Sequence, residues 1–228
     1  MLKRYQKNMN MLSAEDIKKV NAFKVCVIGC GGLGGHIVES LARLGVETIT
    51  AVDKDVFDET NYNRQIYANA KTMGFPKAAV TRKFIKKIND RVNINTMTLA
   101  YNERMGRKII RNHDLVVDAV DNVETKLLLE EHCEELNLPL VHGAIGGWYG
   151  QLGICMPGSK MISKIYGNNE SGAETELGNP SFTPAIAANL MVAEILKFIL
   201  GKDALINKLM TIDLIEYTSH IVEFKSGE

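Results

Sequence analysis

The sequence predicts an α/β fold with a Rossmann-like, doubly wound sheet that is mostly parallel and is extended by antiparallel strands in its C-terminal part. Through residues 21–147, short apolar runs alternate with segments of helical periodicity, which is typical of strand–helix–strand crossovers. One apolar run ends in a glycine-rich turn that opens directly into a helix. Residues 208–225 hold two short strand-like segments around a turn, which predicts an antiparallel hairpin.

The first elements are indicated by a capping signal and by a change of periodicity. Ser13, followed three residues later by Asp16, matches a capping box, so a short helix is expected after a polar arm. The continuous apolar run 23–29 predicts a buried parallel strand. In 32–45, apolar residues recur every three or four positions before a final glycine, which predicts a helix that ends at that glycine.

The same signals assign the middle of the chain. Strands are predicted at 48–53, 93–99, 114–121 and 138–145, and helices at 76–89 and 123–137. Parallel strands require crossover connections, and the helices between these strands supply them.

The chain is interpreted as one domain with parts of different character. These parts are an arm and helix (1–20), a nucleotide-binding half (21–147) and a C-terminal half (148–228) within the single domain 1–228. The C-terminal half begins with a strand at 148–158, expected on the far side of the sheet. Residues 159–182 are rich in Gly, Asn, Ser and Glu and are predicted to form a long loop. A helix is expected at 184–200.

Composition narrows the class of partner and the compartment. Lys plus Arg equals Asp plus Glu, 27 each, which disfavours broad electrostatic binding to nucleic acid or to an anionic membrane. The N-terminal segment has no apolar signal core, and the four cysteines form no C-x-x-C pair, so a reduced cytoplasmic protein is expected. The apolar segment 185–200 contains Asn189, Glu194 and Lys197 and is short for a bilayer span, which favours a core or interface helix.

The glycine-rich turn after the first strand predicts a phosphate site. Its G-x-G-x-x-G pattern involves Gly29, Gly31, Gly32, Leu33 and Gly34. Glycines let the backbone approach a phosphate closely, and the helix start supplies unpaired N–H groups. Asp53 ends the second strand, where a carboxylate can accept hydrogen bonds from a ribose. Both NAD and ATP satisfy this pattern, and a tight turn without ligand is the third alternative.

The residues after the second strand favour ATP. They are Asp55, Asn61, Arg64 and Gln65, followed by Lys77 at the start of the next helix. Two cations at this sheet edge suit displacement at phosphorus better than hydride transfer. An NAD-dependent oxidoreductase would need a catalytic His or a Tyr–Lys arrangement, and we find no convincing one. A solvated polar loop is the alternative explanation of these residues.

A carboxylate at the end of the fourth strand indicates a metal ion. Asp121 lies at that strand end, where it can hold Mg²⁺ together with phosphate oxygens. Asn122 follows and is expected to cap the next helix. The alternative is that the aspartate serves only as a helix cap.

Five motifs in this order, "GCGGLG", "DKDVFDETNYNRQ", "FPKA", "DAVDN" and "GGWYGQ", resemble the ThiF/MoeB/HesA family of adenylyltransferases, which are related to ubiquitin-activating enzymes. The resemblance runs from about Arg4 to Lys202. It implies activation of the C-terminal glycine of a small ubiquitin-like sulfur carrier of the ThiS/MoaD type by Mg-ATP, with release of pyrophosphate. It also implies a homodimer, with the C-terminal half binding the carrier and the second subunit.

The resemblance assigns roles residue by residue. The glycine turn around Gly32 would lie along the ATP phosphates and Asp53 would bind the ribose. Asn61, Arg64 and Lys77 would contact the phosphates, Arg64 and Lys77 would act in catalysis, and Asp121 would hold Mg²⁺. The arm reads "RYQKN", so Lys7 stands where many relatives have an arginine that reaches the partner subunit's ATP.

Two departures from the family pattern bear on function. The paired C-x-x-C motifs that bind structural zinc in many relatives are missing, so no zinc is expected. The crossover segment 159–182 contains no cysteine, which leaves a covalent carrier–enzyme step and the identity of the carrier open. A nucleotide-binding module that has lost catalysis is the remaining alternative.

Overall fold

A computed structural model describes residues 3–167 and 177–224, and in it one eight-stranded sheet forms the centre of the molecule. In chain order the strands are β1 Lys24–Ile28, β2 Thr48–Val52, β3 Asn93–Met97, β4 Leu115–Asp118, β5 Leu140–Gly146, β6 Tyr149–Cys155, β7 Lys208–Asp213 and β8 Thr218–Glu223. Their spatial order is β3-β2-β1-β4-β5-β6-β7-β8. The first five are parallel, and β6, β7 and β8 are antiparallel to their neighbours, so the predicted fold class is confirmed.

The helices cover the sheet and connect its strands. They are α1 Ala14–Ala22, α2 Gly32–Leu44, α3 Lys77–Ile88, α4 Gly106–Ile110, α5 Val123–Glu135, α6 Met161–Tyr166 and α7 Phe182–Ile199, with 3₁₀ helices at Lys3–Asn8 and Glu59–Asn61. The capping box at Ser13 is confirmed, since its hydroxyl accepts from the Asp16 N–H at 3.1 Å. Gly45 ends α2 in the left-handed region, at φ 114°, where glycine is favoured over other residues.

The late apolar helix is a packed element of the sheet's cover. α7 is long and apolar enough to cross a membrane by length and composition. It packs against α2, β5 and β6, and Ala188, Met191 and Ile195 are fully buried there. These contacts agree with the prediction of a core helix at this position.

The prediction of a continuous loop at 159–182 is wrong at both ends. Residues 161–166 form α6 because Glu130 of α5 accepts the N–H groups of Ile162 at 2.7 Å and Ser163 at 2.9 Å. Met161 and Ile162 are fully buried, and this burial outweighs a polar local composition. α7 begins at Phe182, earlier than expected. Within the predicted loop, residues 168–176 lie outside the described residues.

Candidate active site

An open cleft lies at the carboxyl ends of the parallel strands, where their polar residues converge. Eleven residues predicted from the sequence line it, namely Gly29, Gly31, Gly32, Leu33, Asp53, Asp55, Arg64, Gln65, Lys77, Asp121 and Asn122. The parallel strands β2, β1 and β4 are neighbours in the sheet, so their C-terminal loops meet at one edge. These eleven residues, which lie up to 93 positions apart in the chain, thereby share one surface.

The turn after β1 is built for close backbone contacts. Gly29 has φ +99°, and a Cβ there would lie 2.3 Å from the Ala119 carbonyl oxygen. A Cβ on Gly34 would lie 1.9 Å from the Gly29 carbonyl oxygen, so α2 sits tightly on the turn. The N-cap residue of α2, Gly31, makes no side-chain capping bond, and Gly31, Gly32 and Leu33 line the cleft at this helix start. Such a helix start favours a bound phosphate.

Asp53 joins the end of β2 to the glycine turn. Its carboxylate accepts the backbone N–H groups of Cys30 and Asp55, each at 2.7 Å. Burial raises the pKa of Asp53, while these two N–H groups oppose the rise. A carboxylate has about four acceptor positions, so Asp53 retains capacity for the hydroxyl groups of a ribose.

Two cationic side chains, Lys77 and Arg64, also line the cleft. Lys77 is the first residue of α3 and is buried, and its Nζ lies 3.4 Å from the Asp55 carboxylate. Arg64 is half-buried and donates from Nη1 to the Thr60 carbonyl oxygen at 2.9 Å and to Asn63 Oδ1 at 3.0 Å. Neither contact saturates its donors, since an ammonium has three and a guanidinium five. Both cations can therefore contact an anionic ligand.

Two buried amide oxygens fit a polar ligand in this cleft. Gln65 Oε1 and Asn179 Oδ1 both belong to cleft-lining residues, and neither has a hydrogen-bond partner among the described residues. An unpaired buried polar atom costs about 1–3 kcal/mol, so such atoms beside a cleft mark positions that a ligand would satisfy. Together with the glycine cradle, the donor set fits a nucleotide.

The loop after β4 carries two aspartates with different roles. Asp118 is fully buried, and Lys126 Nζ at 3.2 Å and His142 Nδ1 at 2.8 Å contact it. Although burial opposes it, the Lys126 ammonium and His142 hold the pKa of Asp118 below its usual range. Asp121 is exposed and lines the cleft, so it is the carboxylate available to a metal ion. Asn122 caps α5 by accepting the Thr125 N–H at 2.9 Å, as predicted.

Three predicted site residues do not line the cleft. Gly34 packs against the turn, and Asn61 is buried and accepts the Asp58 N–H at 3.2 Å within its own 3₁₀ helix. Lys7 is exposed on the N-terminal 3₁₀ helix and is not among the residues that line the cleft. The structure also adds residues that sequence reasoning missed, namely Leu99, Ala100, Tyr101, Thr125, Ile145 and Asn179. The first three follow β3 directly, and the strand-end rule alone would have found them.

A second cavity of about 550 Å³ adjoins the cleft. Asp121 and Ile145 line both spaces. Apolar side chains from β5, β6, β7 and α6 dominate its walls, namely Ile145, Tyr149, Ile165 and Ile212. A polar cleft and a less polar cavity thus meet at one carboxylate.

All four cysteines are buried free thiols, Cys26, Cys30, Cys133 and Cys155. Burial raises the pKa of Cys155 to about 11, and it raises the pKa of each of the other three still further. A high thiol pKa keeps the thiolate population low, so none of them has the environment of a nucleophile. Cys133 and Cys155 both belong to the hydrophobic core.

The profile of the ThiF family matches residues 5–227. This chain belongs to the ThiF family. Among its relatives, the SAMP-activating enzyme E1 of Haloferax volcanii is 28% identical over 233 residues, covering 99% of this chain and 86% of that protein. The sulfur carrier protein adenylyltransferase of Thermus thermophilus is 30% identical over 212 residues, covering 88% of this chain and 78% of that protein. These relatives identify the ThiF-family chain as an adenylyltransferase rather than an oxidoreductase.

Two further comparisons show the fold and a relative that is named for a different activity. A crystal structure of E. coli MccB with ATP superposes on the whole ThiF-family chain and on 73% of that protein with a TM-score of 0.84, at 21% identity, which shows the fold. The tRNA threonylcarbamoyladenosine dehydratase of Haemophilus influenzae is 34% identical over 142 residues, covering 62% of this chain and 54% of that protein. Substrates therefore differ among ThiF-family relatives.

Proposed function

We propose that this adenylyltransferase activates the C-terminal glycine carboxylate of a small ubiquitin-like sulfur carrier of the ThiS/MoaD type as an acyl-adenylate. The observation that carries the proposal is the meeting of the two spaces at Asp121 and Ile145. The polar cleft suits ATP, and the adjoining cavity suits an extended carrier tail that brings its carboxylate to the α-phosphate. The names of relatives that act on such carriers support this assignment.

Different residues of the cleft would bind different parts of the nucleotide. The turn around Gly32 and the start of α2 would contact the phosphates, and Asp53 would accept hydrogen bonds from the ribose. Asp121 would hold Mg²⁺, and a bound Mg²⁺ ion neutralises part of the triphosphate charge. Arg64 and Lys77 would contact the phosphates from the opposite wall.

The reaction needs positioning and neutralisation of charge more than proton transfer. A carrier carboxylate oxygen attacks the α-phosphorus, forming a new P–O bond while the bond to the bridging oxygen of pyrophosphate breaks. The electron pair of that bond leaves with pyrophosphate, so no protein base is required. Arg64 and Lys77 stabilise the negative charge that accumulates on the leaving group.

Carrier-dependent pyrophosphate exchange tests the proposal. The purified protein is incubated with Mg-ATP, labelled pyrophosphate and carriers that end in Gly-Gly, and incorporation of label into ATP is followed. We expect exchange only with a carrier, and a loss of about 10²-fold or more in Arg64→Ala and Asp121→Ala. Arg82→Ala is the matched control, because Arg82 is exposed on α3 and does not line the cleft. ATP binding without exchange for any such carrier would contradict the choice of carrier.

A modified tRNA base is the second candidate source of the carboxylate. It is favoured by the similarity to the H. influenzae tRNA-modifying relative. It is disfavoured by the balance of 27 basic and 27 acidic residues, because tRNA binding usually requires a basic surface. ATP consumption that depends on tRNA and not on a carrier would establish it.

Further features of the proposal concern assembly and metal content. We propose a cytoplasmic homodimer in which Lys7 reaches the partner subunit's ATP and the half 148–228 binds the carrier. Sedimentation, and a raised KM for ATP in Lys7→Ala, would test the dimer. No group of three or more potential metal ligands is present in residues 3–167 and 177–224. The prediction that zinc is absent is tested by elemental analysis of the purified protein.

A further inference from the structure

The spatial order of three strands locates a nucleobase. The phosphate-binding turn follows β1, Asp53 follows β2, and β3 lies on the other side of β2. A nucleotide with phosphates at β1 and ribose at β2 therefore directs its base toward the end of β3, one strand spacing of about 4.8 Å further on. Leu99, Ala100 and Tyr101 follow β3 and line the cleft there.

Tyr101 is held from behind by a buried histidine. Its hydroxyl lies 2.8 Å from His132 Nδ1, and His132 is fully buried in α5. His132 Nε2 lies 3.2 Å from Glu103 Oε2. An ionised carboxylate only accepts hydrogen bonds, so in the neutral imidazole Nε2 donates to Glu103 and Nδ1 accepts from the Tyr101 hydroxyl. In that form of the ring, Tyr101 is the donor to Nδ1 and Glu103 is the acceptor from Nε2.

The surroundings leave this pair little freedom. A Cβ on Gly106 would lie 2.5 Å from His132 Nδ1 and 2.7 Å from Tyr101 Cζ, so α4 closes over the hydrogen bond. Arg107 bridges Glu103 and Glu135, with its Nη2 donating to Glu135 Oε1 at 2.9 Å. Hydrogen bonds from Arg107 and His132 lower the pKa of Glu103, so it stays ionised and continues to accept from His132.

We propose that His132 is a positioning residue for nucleotide binding, which holds the Tyr101 ring as the wall of the base pocket with its hydroxyl turned away from the ligand. The inference rests on the proposed function in that the nucleotide is ATP. Since the Tyr101 hydroxyl is engaged by His132, the base meets an aromatic and apolar wall rather than a tyrosine donor. His132 itself touches no ligand and acts through Tyr101.

Calorimetric titration with two probes, ATP and inorganic tripolyphosphate, tests the inference. Tripolyphosphate has no base, so a role in the base wall affects ATP alone, whereas damage to the whole cleft affects both. His132→Leu should raise the Kd for ATP about five- to tenfold, the effect of one hydrogen bond, and leave the Kd for tripolyphosphate unchanged. His132→Asn retains an acceptor near the Nδ1 position and should rescue most of the ATP affinity.

Two further variants keep the result interpretable. Tyr101→Phe removes only the hydroxyl, so it leaves no large cavity. It should also weaken ATP binding, as His132→Leu does. His113→Leu is the control: His113 is a half-buried histidine whose Nε2 lies 2.8 Å from Thr50 Oγ1, and it does not line the cleft. It should lower the melting temperature but not the affinity for ATP.

Each other outcome overturns the inference. Unchanged ATP affinity in both His132→Leu and Tyr101→Phe would show that the hydrogen bond does not position the wall. Equal weakening of ATP and tripolyphosphate would show a general structural effect. Failure of the wild-type protein to bind ATP would overturn the proposed function as well, and this result is distinct because it is seen before any variant is made.

Discussion

Asp118 and His142 are directly opposite each other on the neighbouring parallel strands β4 and β5, and His142 Nδ1 lies 2.8 Å from Asp118 Oδ2. Both side chains are fully buried, and Lys126 Nζ completes the cluster at 3.2 Å from Asp118. The Val120 N–H also donates to Asp118 Oδ1 at 3.1 Å, so the cluster fixes the loop that leads to Asp121. A buried charge pair thus supports an exposed site residue.

Asp118→Asn should strongly destabilise the protein. The change leaves the Lys126 ammonium buried without a carboxylate, and breaking a buried pair in this way costs about 3–5 kcal/mol. The free energy of unfolding from urea titration is the measurement. Asp121→Asn is the control, and its stability should stay within about 0.5 kcal/mol of wild type because Asp121 is exposed. Equal stability of the two variants would show that the buried pair contributes nothing.

The free energy of unfolding should fall as the pH decreases below 6.5. Burial lowers the pKa of His142 from 6.5, despite the opposing hydrogen bond to Asp118. The unfolded chain therefore binds a proton that the folded chain does not, so stability is full above 6.5 and is lost as pH falls toward the folded pKa. Burial also lowers the pKa of His36 and His113, which add to the same effect.

His142→Gln isolates the contribution of His142 to this pH dependence. Gln cannot titrate, so the loss of stability between pH 7 and 5 should be smaller in the variant than in the wild type. Urea titrations at several pH values give the slope. A slope unchanged by the substitution would assign the whole effect to the other two histidines.

Gly34→Ala should destabilise the turn and weaken ATP binding together. A Cβ at Gly34 would lie 1.9 Å from the Gly29 carbonyl oxygen, which is backbone and can move only with the whole turn. Gly150→Ala is the control, since its nearest atom would lie at an ordinary 3.5 Å. The melting temperature and the Kd for ATP are measured for both. Normal stability in Gly34→Ala would show that α2 shifts freely against the turn.

Eleven of the candidate residues named from the sequence line one cleft, because the signals that locate strand ends are local. A strand followed by glycines, Asp53 and the cation at Lys77 each follow from periodicity and from spacing. The hydrogen bond between Tyr101 and His132 could not be predicted from the sequence. The two residues are 31 positions apart and meet where α4 packs on α5. α6 was missed for the same reason, since Glu130 on another helix stabilises its start.

Lys77→Met should lower the rate of adenylation far more than it lowers stability. Lys77 begins α3 inside the cleft. In the proposed reaction its ammonium would stabilise charge on departing pyrophosphate, an effect of about 10²–10³-fold in kcat/KM. Met keeps the apolar stem of the side chain, so packing at the helix start is largely retained. Lys83→Met is the control, because Lys83 is exposed further along α3. Carrier-dependent pyrophosphate exchange is measured with the melting temperature of each variant, and similar exchange rates in the two variants would contradict a catalytic role for Lys77.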